Sequence, residues 1–287
     1  MFRGFSAAHI GIGRFAKGCR ISLCGKRLRL ENVNVNRDPA IPGTPLGLAA
    51  DAVHIWTVPL DAEDTCLARC WANLSQDEQQ QGERFQFDPS RRRYVVTRAA
   101  LRALLGRYLS IPPLDIEFDW DASGKPRMGA PSSGLYFNVA HSGGLALVAV
   151  ASGCEVGVDV EQLRTVDRLE QIAERYFHPL EVAELLREPP ADRSAAFLQC
   201  WTAKEAVLKA VGVGIGAALD RLHVPVRQHD GVFVDVTISN PLRCWLQPLA
   251  LEAGYVGAVA CVGEKRFVTI RQPAWLLMES ASDKGYQ

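Results

Sequence analysis

The stretch VGVDVE, residues 156–161, constrains this chain more than any other. Val156, Val158 and Val160 alternate with Gly157, Asp159 and Glu161. That period of two defines a β-strand with one apolar face. It also sets Asp159 and Glu161 side by side on the other face. Neighbouring carboxylates repel unless something positive lies between them. The strand therefore either ends in solvent, with both acids hydrated, or runs beside a cation.

About forty residues further on comes WTAKEAVLK (201–209). At helical spacing Trp201, Glu205 and Leu208 or Lys209 share a face. Trp201 and Leu208 belong in a core, so Glu205 is drawn inward with them. The alternative is an ordinary surface pair, Glu205 with Lys209 at i, i+4, worth a few tenths of a kcal/mol (about 0.2–0.5). Three carboxylates directed inward require a hard cation. An all-oxygen ligand set suits Mg²⁺, which keeps waters and bridges to substrate phosphates. Lys204, Lys209, Lys125 in SGKP and His141 could then neutralise phosphate oxygens. The residues alone reach Mg²⁺-dependent chemistry on a diphosphate and name no substrate.

The elements around these motifs repeat. AVHIWTVPL (52–60) alternates as a strand, and Asp61 can cap a helix to about Asn73. Ser75 and Glu78 match a capping box. DPSRRRYVVTRAALRALLGRYL (88–109) reads as a long helix capped by Asp88. LDIEFDW, LYFNVA (135–140) and LALVAVA (145–151) read as strands. After the acidic strand come two helices, then a long one from an Asp192 cap to a Gly212 stop. LHVPVR, VFVDVTI, RCWLQPL, YVGAVACV and FVTI follow as strands. The predicted class is α+β: two similar halves, 51–152 and 153–270, each a long helix on a small, mostly antiparallel sheet. Residues 1–30 carry seven basic residues and no acid until Glu31. With NVNRDPAIPGTPLG (34–47) they read as an unstructured basic leader and linker over 1–50, rather than a targeting peptide. A loose tail is expected over 271–287.

Lys plus Arg equals Asp plus Glu at 32 each, so net charge gives no sign of a nucleic-acid partner. No apolar run approaches the ~20 residues of a membrane span. The eight cysteines form no CxxC pair, and most have apolar neighbours. A reducing cytoplasm is expected. No HxxxH, HxH or GxSxG spacing is present, which argues against a zinc site or a serine hydrolase. RRR (91–93) reads as a solvated helix face, and GVGIG (212–216) follows a helix where a nucleotide loop should follow a strand.

VGVDVE followed by WTAKEAVLKAVGVGI, with GERFQF, SGKPRM and FNVAHSGG upstream in the same order, resembles the 4′-phosphopantetheinyl transferases over residues 51–265. The closest likeness is to their monomeric, surfactin-synthetase-activating type. The resemblance implies a pseudo-dimer of two α/β halves. It also implies Mg²⁺-dependent transfer of the phosphopantetheine arm of coenzyme A to a serine of an apo acyl or peptidyl carrier protein, with release of adenosine 3′,5′-bisphosphate. Asp159, Glu161 and Glu205 match the family's metal ligands. Glu205 also matches its candidate base, directly or through a water, and Lys209 a lysine at the transferred phosphate. Lys204 precedes Glu205 in the same motif. Lys125 matches the lysine near the adenine end, while Asn138 and His141 fall in the segment that grips coenzyme A. Glu181 matches a further family acid. Ala140 stands where relatives often carry Ser, and Glu78 and Gln81 where they often carry basic residues for the 3′-phosphate. Arg84 or Arg93 is the expected substitute. Two rivals are weighed: a Mg²⁺-dependent phosphohydrolase of coenzyme A, which would share the carboxylates, and a non-catalytic coenzyme A or carrier-protein binding module, against which the intact set of Asp159, Glu161, Glu205 and Lys209 argues.

Overall fold

The computed structural model describes residues 36–37, 45–120, 124–129, 134–213, 219–238 and 241–273. The fold is α+β. Sheet 1 has the order β1-β11-β2-β6-β5, and sheet 2 the order β7-β10-β9-β8. In sheet 1, β2 (Ala52–Pro59), β6 (Leu145–Ser152) and β5 (Leu135–Ser142) run antiparallel. On the far side of β2, β11 (Phe267–Gln272) and β1 (Asn36–Arg37) pair in parallel. Sheet 2 is antiparallel throughout: β7 (Val156–Gln162), β10 (Tyr255–Val262), β9 (Leu242–Pro248) and β8 (Val232–Val236). A small ribbon joins β3 (Phe118–Trp120) and β4 (Pro126–Met128).

Side-chain alternation stacks four layers. On β6, Leu145, Leu147, Ala149 and Ala151 face Val156, Val158 and Val160 of β7, so the two sheets bury their apolar faces on each other. The opposite residues of β6, Ala146, Val148 and Val150, face the long helix α3 (Asp88–Leu109). Sheet 2 likewise turns Ala258 and Ala260 toward α6 (Arg193–Val211). The order is α3, sheet 1, sheet 2, α6: one long helix per sheet, as expected.

Helix ends follow local chemistry. The Ser75–Glu78 capping box opens α2 (Gln76–Glu83), and Gly212, at φ +72°, closes α6. Other ends differ from the sequence reading. Helix α1 (Asp64–Ala72) starts past Asp61, Phe87 rather than Asp88 is the cap of α3, and Asp192 makes no capping bond. LHVPVR is not a strand. Leu219–Arg221 form a 3₁₀ turn, and the residues after it run irregularly. Side chains satisfy that backbone: Val224 N–H donates to Glu181 and Val226 N–H to Glu184. FVTI, grouped by sequence with the second half, crosses to sheet 1, where Val268 and Ile270 pack beside Val53 and Ile55. Of the leader and linker expected over 1–50, residues 36–37 form β1 against β11, and of the tail expected over 271–287, Arg271 and Gln272 complete β11, because backbone pairing between these distant segments orders both. Residues 1–35, 38–44 and 274–287 and most of GVGIG lie outside the described residues. Among those described, no helix is long and apolar enough to cross a membrane.

Candidate active site

Alternation along β7 turns Gly157, Asp159 and Glu161 toward α6, while its valines enter the inter-sheet core. Gly157 lets the helix come close: a Cβ there would stand 2.1 Å from the Ala206 carbonyl oxygen and 2.4 Å from Ala210 N. The next turns of α6 then deliver Glu205 and Lys209 to the strand. Lys209 Nζ donates to Asp159 Oδ1 at 2.6 Å and to the Val158 carbonyl at 3.3 Å.

Glu205 is 1% exposed, and neither carboxylate oxygen has a hydrogen-bond partner. Burial, with Asp159 adding to it, pushes its pKa up to about 8. Burial also pushes Asp159 up to about 6, against the pull of Lys209. Lys209 loses by its own burial, yet Asp159, Glu205 and Glu161 outweigh that and hold its ammonium above the ordinary lysine range. Glu161, 2% exposed, accepts at Oε2 from Ser142 Oγ (2.8 Å) and from the Arg164 guanidinium (2.9 Å). Among the described residues no three metal-ligating side chains converge as a ready-made metal cage. The donor set is nonetheless chemically apt for Mg²⁺. Its oxygens are hard, and Glu205 is a buried acid lacking any donor, a costly state that a cation relieves.

The remaining expected residues divide. Lys125 lies near this centre: its Nζ donates to the Lys209 carbonyl (2.9 Å), the Val156 carbonyl (3.2 Å) and Glu155 Oε2 (3.1 Å). With Arg127, Tyr136 and Glu155 it lines a groove beside β4 and β5. Asn138 is buried, and its Oδ1 accepts from Val158 N–H at 2.9 Å, joining the two sheets. His141 is exposed on the opposite face of β5 from Asn138. Arg84, exposed, reaches Gln81 Oε1 (3.3 Å), and Arg93 is half-buried on α3. Glu78 is no phosphate contact in waiting. It sits buried between Arg98 and Arg102, with 2.6 and 2.5 Å bonds from their Nε atoms.

Lys204 is not brought to the acids. It is fully buried on another side of α6, and its Nζ donates to both Glu181 oxygens (2.8 and 2.6 Å) and to the Leu222 carbonyl. Consecutive helix residues point about 100° apart, so Lys204 and Glu205 cannot serve one point. Glu181 also accepts from His178 N–H (2.8 Å) and Val224 N–H (2.7 Å), knotting α5 (Pro179–Arg187), which follows α4 (Leu169–Tyr176), to α6 and to the segment around Val224. The sequence reading did not assign Ser142 or Arg164 to this site. Alternation from Asn138 was the signal for Ser142, since 138, 140 and 142 share a face.

Fold and site together define a two-half α+β protein with a buried acidic centre between β7 and α6. Residues 155–260 match the family described as the 4′-phosphopantetheinyl transferase superfamily, and residues 59–153 match 4′-phosphopantetheinyl transferase, N-terminal. The 4′-phosphopantetheinyl transferase HetI of Nostoc sp. (strain PCC 7120 / SAG 25.82 / UTEX 2576) is 43% identical over 188 residues, 64% of this chain and 78% of that protein. The 4′-phosphopantetheinyl transferase psf-1 of Bacillus pumilus is 30% identical over 65% of this chain and 78% of its own length. A 4′-phosphopantetheinyl transferase of Bacillus subtilis is 27% identical over 67% and 83%. The chain belongs to the 4′-phosphopantetheinyl transferase superfamily.

Proposed function

We propose that this chain transfers the 4′-phosphopantetheine arm of coenzyme A to a serine of an apo acyl or peptidyl carrier protein. The serine oxygen attacks the phosphorus bearing the pantetheine. The bond to the bridging oxygen breaks, and adenosine 3′,5′-bisphosphate leaves. The observation that carries this reading is the Glu205 carboxylate: buried, without a hydrogen-bond donor, and on the same helix face as the Lys209–Asp159 pair.

Asp159, Glu161 and Glu205 would hold Mg²⁺. Bound there, the ion supplies Lewis-acid polarisation of the diphosphate. Lys209 keeps a positive charge beside Asp159, suited to oxygens that gain charge as the bond breaks. Glu205 accepts the serine proton, directly or through a water. A serine hydroxyl is a weak nucleophile near neutrality, and a carboxylate base within reach activates it. Lys125 and the groove it lines suit the nucleotide end of coenzyme A.

The protein works as a cytoplasmic monomer in this reading. Among the described residues six buried free cysteines favour a reducing compartment, and both halves of the fold belong to one chain. Incubating the protein with coenzyme A and a panel of apo carrier proteins tests the function. One carrier should gain the mass of a single phosphopantetheine, and its Ser→Ala variant should gain none. Free phosphopantetheine without any carrier product would instead mark a phosphohydrolase.

A further inference from the structure

We infer that Ser142, contributed by the first half, is a positioning residue that sets the Glu161 carboxylate for a divalent cation. The inference rests on the reading that Asp159, Glu161 and Glu205 hold such an ion.

Strand β7 pairs with β10 along one edge only. Its other edge lies against β5, without a backbone ladder. The N–H groups on that edge still need acceptors, and side chains provide them. Val158 N–H donates to Asn138 Oδ1 (2.9 Å) and Gln162 N–H to Ser142 Oγ (3.1 Å).

The last of these bonds decides the direction of the hydroxyl. Ser142 is 8% exposed and carries a single donor hydrogen. With the oxygen accepting from Gln162, that hydrogen goes to Glu161 Oε2 at 2.8 Å. Arg164 donates to the same oxygen, but its side chain is 32% exposed, and holding so long a chain in one place costs rotamer entropy. Its charge also competes with any cation for the carboxylate. The serine hydroxyl is neutral and is fixed by a backbone bond. It therefore orients Glu161 without opposing the ion, as outer partners of metal ligands do. The consequence is architectural. The acids all come from β7 and α6, yet one of them is aimed by β5, so the second half alone carries an incompletely set site.

The test is Mn²⁺ binding, read by electron paramagnetic resonance, to the full chain with saturating coenzyme A and no carrier protein. Ser142→Ala should weaken Mn²⁺ by about 10- to 100-fold, whereas Ser142→Thr, which keeps the hydroxyl, should stay within about threefold of wild type. In turnover, Ser142→Ala should raise the Mg²⁺ concentration needed for half-maximal rate and, at saturating Mg²⁺, leave the coenzyme A KM unchanged. Wild-type Mn²⁺ affinity in Ser142→Ala, together with a lowered Tm, would show that the hydroxyl only closes the strand edge, and would overturn the inference. Should Ser142→Ala not fold, Ser142→Cys, a weaker donor of similar shape, must also bind Mn²⁺ less tightly. Equal affinity there overturns the inference too. A wild-type protein that binds no Mn²⁺ sinks the metal reading itself, a different result from wild-type binding that Ser142→Ala leaves intact.

Discussion

Gly157 of β7 and Ala206 of α6 touch backbone to backbone: a Cβ on Gly157 would lie 2.1 Å from the Ala206 carbonyl oxygen. This contact sets the distance between the strand that carries Asp159 and the helix that carries Glu205 and Lys209. Gly157→Ala must push α6 away, since backbone cannot yield as a side-chain end does. The expected cost is about 3 kcal/mol or more, a Tm lower by about 6–12 °C. Transfer should fall by about a hundredfold, because displacement of catalytic groups by an ångström has that effect. Thermal melts and carrier-loading rates check both. An alanine variant with wild-type Tm and rate would show that the close approach is dispensable.

Lys204 and Glu181 form a fully buried ion pair, 0% exposed on both sides. Lys204→Met should cost about 3–5 kcal/mol, because it strands a buried carboxylate. Adding Glu181→Gln should recover part of that loss, since the amide oxygen still accepts from Val224 N–H. The coenzyme A KM of the double variant should match wild type. A KM raised strongly in the double variant, with Tm restored, would instead place Lys204 on the phosphate.

Glu205 and Asp159 make stability depend on pH in the cation-free protein. Their folded values, about 8 and about 6, lie above the ordinary 4.5 and 3.8. The folded state therefore binds more protons than the unfolded state across that interval. Their contribution to stability is greatest at the acid end and is lost as pH climbs from about 4.5 toward about 8. In the presence of EDTA, wild-type Tm should drop from pH 5.5 to pH 8, and Glu205→Gln should drop less. The variant should be the more stable of the two at pH 8. Parallel Tm curves would mean that Glu205 is not held above its ordinary value.

The sequence made the acidic strand legible through its period of two, and α6 legible through Trp201, Glu205 and Leu208, because both patterns are local. Glu205 went inward as expected. What escaped depends on contacts between distant segments. Lys204 looked like a phosphate ligand beside Glu205, but one step along a helix turned it onto Glu181. LHVPVR alternates like a strand, yet the N–H groups of Val224 and Val226 are taken by carboxylates of α5. FVTI carries no mark of which sheet it joins, and it crossed to the first. Ser142 stood beside His141 in a strand whose partner edge could not be known, so its bond to Glu161 had no local signature.

The central claim is that Asp159, Glu161 and Glu205 hold one divalent ion on the diphosphate of coenzyme A for transfer to a carrier serine. The most direct measurement is carrier loading followed by intact-protein mass spectrometry over a Mg²⁺ titration, for wild type and Glu205→Gln. Wild type should load the carrier only with Mg²⁺ present and stop when EDTA removes it, and Glu205→Gln should load almost none while melting as a folded protein. Loading that persists in EDTA, or a Glu205→Gln variant as fast as wild type, would contradict the account.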